Sequence, residues 1–260
     1  GSLPLFVMHG VTAYADCFMA AHVLAAVSMF FSFTQAKDEA SKLAFLRLAA
    51  VTAAILPFTK NEGTMAHLPA LLMVTSAALW WMYVKGSLSH LHVKKILTYY
   101  VVAFVVIALP WLSYKWMHGL TFGNGKTLPS LVPVWQDMVV YSLFINTFFE
   151  ANWLLLFPLF LALICYRWKS AFGTYGVMTM YYFIVRGSQV FIFLFTPLST
   201  EALRQTGSAR GLVQLVPIVV TLTVLLLREA LDTLKIVPIE RNEHTMKHNN
   251  NHAMKGKLAS

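Results

Sequence analysis

The chain has 260 residues, of which 58% are hydrophobic and only 12% are charged. A soluble domain carries roughly a quarter charged residues, so a water-wetted globular fold is excluded. The formal charge of +9 comes from lysines and arginines spread through short segments between apolar runs, not gathered on one face, so nucleic acid is not expected as a partner. No long block of alternating polarity argues for a transmembrane β-barrel. The expected class is all-α: a polytopic membrane helix bundle.

Crossing the hydrocarbon takes about 20 apolar residues. In chain order, such runs predict about seven transmembrane helices, at 11–33, 43–59, 64–84, 96–114, 152–166, 172–195 and 211–228. The second and fifth are short. The connection 115–151 is rich in Gly, Pro, Trp and Phe, and within it Trp135 to Phe149 reads as an interfacial or re-entrant helix. Residues 1–235 form the expected transmembrane domain. Residues 236–260 form a polar tail, expected to be disordered, in which His244, His248 and His252 recur every four residues.

Sidedness follows from the basic residues. One set of loops holds Lys37, Lys42, Lys85, Lys94, Lys95, Arg167 and Lys169, joined by the C-terminal tail. The opposite set holds Lys60, Lys115, Lys126, Arg204 and Arg210. The richer set should face the cytoplasm, which puts the N-terminus outside and the tail inside. Cys17 and Cys165 then fall near opposite faces, and no disulfide is expected.

On that topology the unusual polar residues gather on the outer face. Asp16 stands near the start of the first span. Lys60, Asn61, Glu62 and Gly63 form the turn between the second and third, and Gly63 permits a sharp turn there. Glu150 and Asn152 precede the fifth span; Glu201, Arg204 and Arg210 precede the seventh. An ionisable group within a membrane helix costs roughly 2.5–3.5 kcal/mol on insertion scales and usually has a job or a partner. Each also has a plainer reading: Asp16 as an interfacial charge, Lys60 and Glu62 as a hydrophilic turn, Arg210 as a headgroup anchor. Arg186 lies deeper, where it snorkels, lines an aqueous cavity or pairs with an acid.

Several of these residues form an ordered set. Tyr14-Ala15-Asp16 opens a long apolar helix, and the second helix ends in Leu56-Pro57-Phe58-Thr59-Lys60-Asn61-Glu62-Gly63. Ala108-Leu109-Pro110-Trp111 closes the fourth span, and Ala209-Arg210-Gly211 enters the last, with Pro217 inside it. Over most of residues 10–220 this resembles the C-terminal part of the membrane portion of GT-C glycosyltransferases, which include the protein mannosyltransferases and aminoarabinose transferases. The resemblance implies a helical scaffold in the plasma (inner) membrane with its active face periplasmic or luminal. It implies transfer of a sugar from a polyprenyl-phosphate donor to a glycan, lipid or protein acceptor. Asp16 and Glu62 would orient or deprotonate the acceptor. Lys60, Arg210 and Arg204 would bind the donor phosphate, with Asn61, Arg186 and Glu201 as further candidates. No metal ligand is assigned, and Mg²⁺ or Mn²⁺ stays open.

The family's principal catalytic acid lies in a loop after its first transmembrane helix. This chain starts at Gly1-Ser2-Leu3-Pro4 with no Asp-x-Asp or Glu-x-Asp pair near it, so the expectation is a chain lacking that loop and inactive alone. Two other functions compete: a segment of a multi-pass transporter or flippase, for which Arg186 and Glu150 would be the intramembrane charges, and a non-catalytic membrane subunit. A transferase requires Asp16, Lys60, Glu62 and Arg210 to meet.

Overall fold

The structure is a computed structural model and describes residues 15–88, 90–120, 135–136, 138–149, 153–204 and 206–235. Among these residues every regular element is helical. Six helices are long and apolar enough to cross a membrane. They are α1 (Asp16–Gln35), α2 (Glu39–Thr59), α3 (Gly63–Val84), α4 (His92–Met117), α8 (Gly176–Phe195) and α10 (Thr206–Lys235, its crossing segment Gly207–Leu234). Between α4 and α8 lie three shorter helices, α5 (Val139–Phe148), α6 (Leu156–Tyr166) and α7 (Trp168–Phe172), and α9 (Ser199–Leu203) follows α8.

The fifth expected span, 152–166, is therefore an eleven-residue helix, α6. At 1.5 Å per residue it spans about half the hydrocarbon thickness. The helix expected within Trp135 to Phe149 is α5. Glu150, Asn152, the connection 121–134 and the tail beyond Lys235 lie outside the described residues. The chain divides into two compact units, Gly1–Leu226 and Leu227–Ser260. In the second, Arg228 and Asp232 face each other across one helical turn at 3.8 Å.

Local sequence explains the main helices. Asp38 caps α2: its carboxylate accepts from the Ser41 backbone N–H at 2.8 Å, and that bond holds the Asp38 carboxyl below the usual carboxylate range. The middle of α2 is a stripe of small residues, which lets neighbouring helices approach closely. Ala49 packs with Phe30 and Phe33 of α1, while Ala50 and Ala54 pack with Ala103 of α4.

Two π turns come just before prolines: one opens α3 and the other interrupts α4. Gly63–His67 precedes Pro69 in α3, and Phe104–Ala108 precedes Pro110 in α4. A proline in mid-helix lacks an N–H and presses its ring on the carbonyl four residues back. In α4 one extra residue in the preceding turn moves that carbonyl aside and rotates the two helix halves by about 100° against each other.

The surface reverses the usual order of polarity. On α4, Leu97, Val101, Val102, Val105 and Val106 are all exposed. Such a face would aggregate in water and suits lipid. Asp16, His67, Gln214 and Arg186 are buried instead.

The bundle has two ends. At one, here called the mouth, Asp16 of α1 meets Lys60 at the end of α2 and Arg210 near the start of α10, and Lys115 near the end of α4 meets Asn61. At the other, Glu39 of α2 meets His92 of α4, and the Gln35 amide donates to the Thr174 carbonyl at 3.5 Å. α5 and α6 both pack against α8. α5 packs on the mouth half, with Val139 and Leu143 against Phe193 and Ser142 donating to the Ala202 carbonyl. α6 packs on the other half, with Phe160 against Tyr182.

Candidate functional site

The site grows from the way α2 ends. Lys60 adopts an extended backbone, φ −167° and ψ 160°, which stops the helix, and the Gly63 N–H then donates to the Lys60 carbonyl. Gly63 is required here for proximity. Its φ is not in the left-handed region, but a Cβ at this position would overlap the Leu56 carbonyl oxygen and crowd Met19 of α1. The turn is thus pressed onto α1, and Lys60 reaches Asp16.

Asp16 is the centre. Its Oδ1 accepts from Lys60 Nζ at 2.6 Å and from Gln214 Nε2 at 2.7 Å, and its Oδ2 accepts from Arg210 Nε at 2.9 Å. Arg210 and Gln214 are four residues apart on α10, so one helix face carries both. Lys60 also lies 3.1 Å from Glu62 Oε1. Exposure divides the roles: the Asp16 side chain is 0% exposed, Lys60 17%, Arg210 38% and Glu62 50%. Asp16 is committed to its donors, whereas Lys60 and Arg210 turn toward the mouth and Glu62 keeps a carboxylate face to solvent.

Around this core, Lys115 is buried and donates to Asn61 Oδ1 at 2.6 Å, with its ammonium over the Trp111 ring. Trp111 donates to the Pro57 carbonyl at 3.1 Å and stacks on Phe58 and Tyr114. The Leu56-Pro57 and Leu109-Pro110-Trp111 segments, far apart in sequence, are thus joined.

Behind Asp16 runs a buried line of hydrogen bonds that the sequence did not disclose. Gln214 must turn its NH₂ toward the carboxylate, which leaves its carbonyl facing His67. His67 Nε2 then donates to Gln214 Oε1 at 2.7 Å, and the Tyr181 hydroxyl meets Nδ1 at 2.7 Å. With a neutral ring, Tyr181 donates to Nδ1. The line joins α8, α3, α10 and α1. Its only sequence trace is Gln214 one turn beyond Arg210 and a histidine inside an apolar run.

The other candidates stand apart. Arg186 is 9% exposed in the middle of α8. It donates to Thr147 of α5 at 2.8 Å and more weakly to Gln189 at 3.4 Å, and among the described residues it has no carboxylate partner. Gln189 in turn donates to the Gly211 carbonyl at 3.4 Å, where α8 and α10 come close enough that a Cβ on Gly211 would press on its amide. Arg204 is exposed at the end of α9, and Glu201 is half-buried on α9 beside Gly207.

Asp16 and Glu62 both contact Lys60. Among the described residues no group of three or more His, Cys, Asp or Glu comes together to hold a metal. No family model matches the chain, and no curated protein or solved structure matches it.

Proposed function

We propose that this chain is, or is part of, a GT-C-like membrane glycosyltransferase that takes a sugar from a polyprenyl-phosphate donor at the mouth of the bundle. The supporting observation is the meeting of Asp16, Lys60, Glu62 and Arg210, brought from three parts of the chain: Asp16 contacts Lys60 at 2.6 Å and Arg210 at 2.9 Å, and Lys60 contacts Glu62 at 3.1 Å. An ordinary set of headgroup anchors has no reason to share one buried carboxylate.

In this proposal Asp16 positions and the others act. The acceptor oxygen bonds to the anomeric carbon as the bond from that carbon to the phosphate oxygen breaks, with inversion. The electron pair leaves on the polyprenyl phosphate. Lys60, as a point charge, and Arg210, with its guanidinium fork, meet the charge that develops there. Glu62, the solvent-facing carboxylate, takes the acceptor proton. The acceptor is a glycan, a lipid or a protein.

We further infer that the mouth faces the periplasm or lumen from the plasma (inner) membrane, because Lys37, Lys42, Lys85, Lys94 and Lys95 lie in the helix ends and turns at the other end. Seven crossings follow if α5 and α6 together make a discontinuous fifth passage, and the N-terminus is then outside. A transporter keeps one specific observation in its favour: a discontinuous passage beside the buried Arg186 is a recurring arrangement for midplane ion and substrate sites.

The test is transfer from a polyprenyl-phosphate sugar in vesicles holding the intact membrane protein. Lys60→Ala and Arg210→Ala should each reduce transfer by about 10–100-fold while expression is kept, the size of a lost charge-assisted contact to phosphate. Unchanged transfer in both would remove the assignment.

A further inference from the structure

The buried line of hydrogen bonds behind Asp16 has no part in the transfer step, and stability alone does not call for it. Gln214 is 2% exposed, and its neighbours Leu212, Val213, Leu215 and Val216 are buried apolar side chains. His67 and Tyr181 are fully buried as well. Apolar side chains of the same shape at these three positions would leave no polar group to satisfy and can be equally stable. What the line adds is a donor to the Asp16 carboxylate.

The donors to Asp16 differ in what else they can reach. Lys60 and Arg210 keep part of their side chains in solvent, so a phosphate at the mouth draws on both. Gln214 cannot follow. Its amide is fixed from behind, because His67 Nε2 donates to Gln214 Oε1 at 2.7 Å and the Tyr181 hydroxyl holds His67 Nδ1 at 2.7 Å. A buried carboxylate that shares two cations with a ligand needs a donor that stays, or it is left poorly compensated. His67 itself closes the π turn Gly63–His67, which follows directly on the Lys60 turn. One short segment thus supplies the front donor and the support for the rear one.

We propose that Gln214, held by His67 and Tyr181, is the positioning residue of the mouth: its amide keeps the Asp16 carboxylate in place while Lys60 and Arg210 turn to a phosphate. This rests on the polyprenyl-phosphate reading of the mouth. All three residues act through Asp16, and none meets the phosphate.

The test is titration of a polyprenyl phosphate into the full chain in neutral detergent, with isotope-labelled histidine read by nitrogen NMR. The His67 signals are those missing from His67→Phe. In the parent they should report a ring protonated at Nε2 and bare at Nδ1, and they should shift as phosphate saturates the mouth. In Gln214→Leu that shift should be lost. Gln214→Leu should bind about tenfold more weakly, the low end for a lost hydrogen bond to a charged group. His67→Phe should bind about threefold more weakly, the size of a neutral bond, and adding it to Gln214→Leu should weaken binding no further. Tyr181→Phe removes only a hydroxyl oxygen, so it keeps the fold where the larger changes lower Tm, and it should weaken binding in the same direction. A parent that binds no polyprenyl phosphate would end the phosphate reading and this inference with it. A parent whose binding weakens in Lys60→Ala but is unchanged in Gln214→Leu and Tyr181→Phe would overturn this inference alone, as would His67 signals that stay still at saturation.

Discussion

The two ends of the bundle carry the same kinds of side chain and use them differently. At the far end the Glu39–His92 pair is 51% and 37% exposed, and both groups keep much of their hydration. At the mouth Asp16 has given up all of its own, and donors from α2 and α10 replace the water. An exposed pair contributes about 0–1 kcal/mol, whereas removing one partner of a buried pair costs about 3–5 kcal/mol. Charge composition alone therefore says little about which end is built as a site. Burial decides it.

The contrast breaks first, and with the largest effect, at Gly63. Gly63→Ala puts a Cβ into the Leu56 backbone and should lower stability by at least about 3 kcal/mol, seen as lost yield or a lowered Tm. Gly176→Ala, where a Cβ meets no other atom, should leave both unchanged. Next comes Asp16→Ala, which removes the carboxylate shared by Lys60, Arg210 and the Gln214 amide. Because Arg210 still reaches solvent, the expected loss is about 2–3 kcal/mol, while Glu39→Ala at the far end should cost under about 1 kcal/mol by the same thermal assay.

Third is His67→Phe, which keeps the ring volume but leaves the Gln214 carbonyl and the Tyr181 hydroxyl without their partner. A loss of about 2 kcal/mol is expected, and Tyr181→Phe on top of it should add less than it does alone. The smallest effect is at Asp38. Its folded carboxyl sits below the unfolded value of about 4, so the cap stabilises fully above that pH and is lost as pH falls through the lower folded value. Amide exchange in the first turn of α2 should speed up on acidification, and Asp38→Ala should show the fast rate at neutral pH as well.

Much of this was legible in the sequence. Long apolar runs announce membrane helices because hydrocarbon tolerates little else, and six expected spans have their counterparts in α1, α2, α3, α4, α8 and α10. Asp16, Lys60, Glu62 and Arg210 could be gathered on one face because sidedness orders the loops. What those groups do to one another was not legible. Asp16 and Gln214 lie 198 residues apart, and no local pattern pairs them. His67 in an apolar run looks like packing until the π turn before Pro69 sets its direction. The fifth span read as one short helix because 150–152 interrupts the hydrophobic signal between α5 and α6. Gly63 was assigned to the turn for its freedom of φ, yet the Leu56 carbonyl is what excludes a side chain.

The pairing at the mouth is tested most directly by titrating a polyprenyl phosphate into the purified protein and three variants. Lys60→Ala and Arg210→Ala should each bind it about 10–100-fold more weakly, and Glu62→Gln should bind it as well as the parent, since Glu62 is assigned the acceptor proton and not the phosphate. Equal affinity in Lys60→Ala and Arg210→Ala, or a loss confined to Glu62→Gln, would contradict a phosphate site held by Asp16.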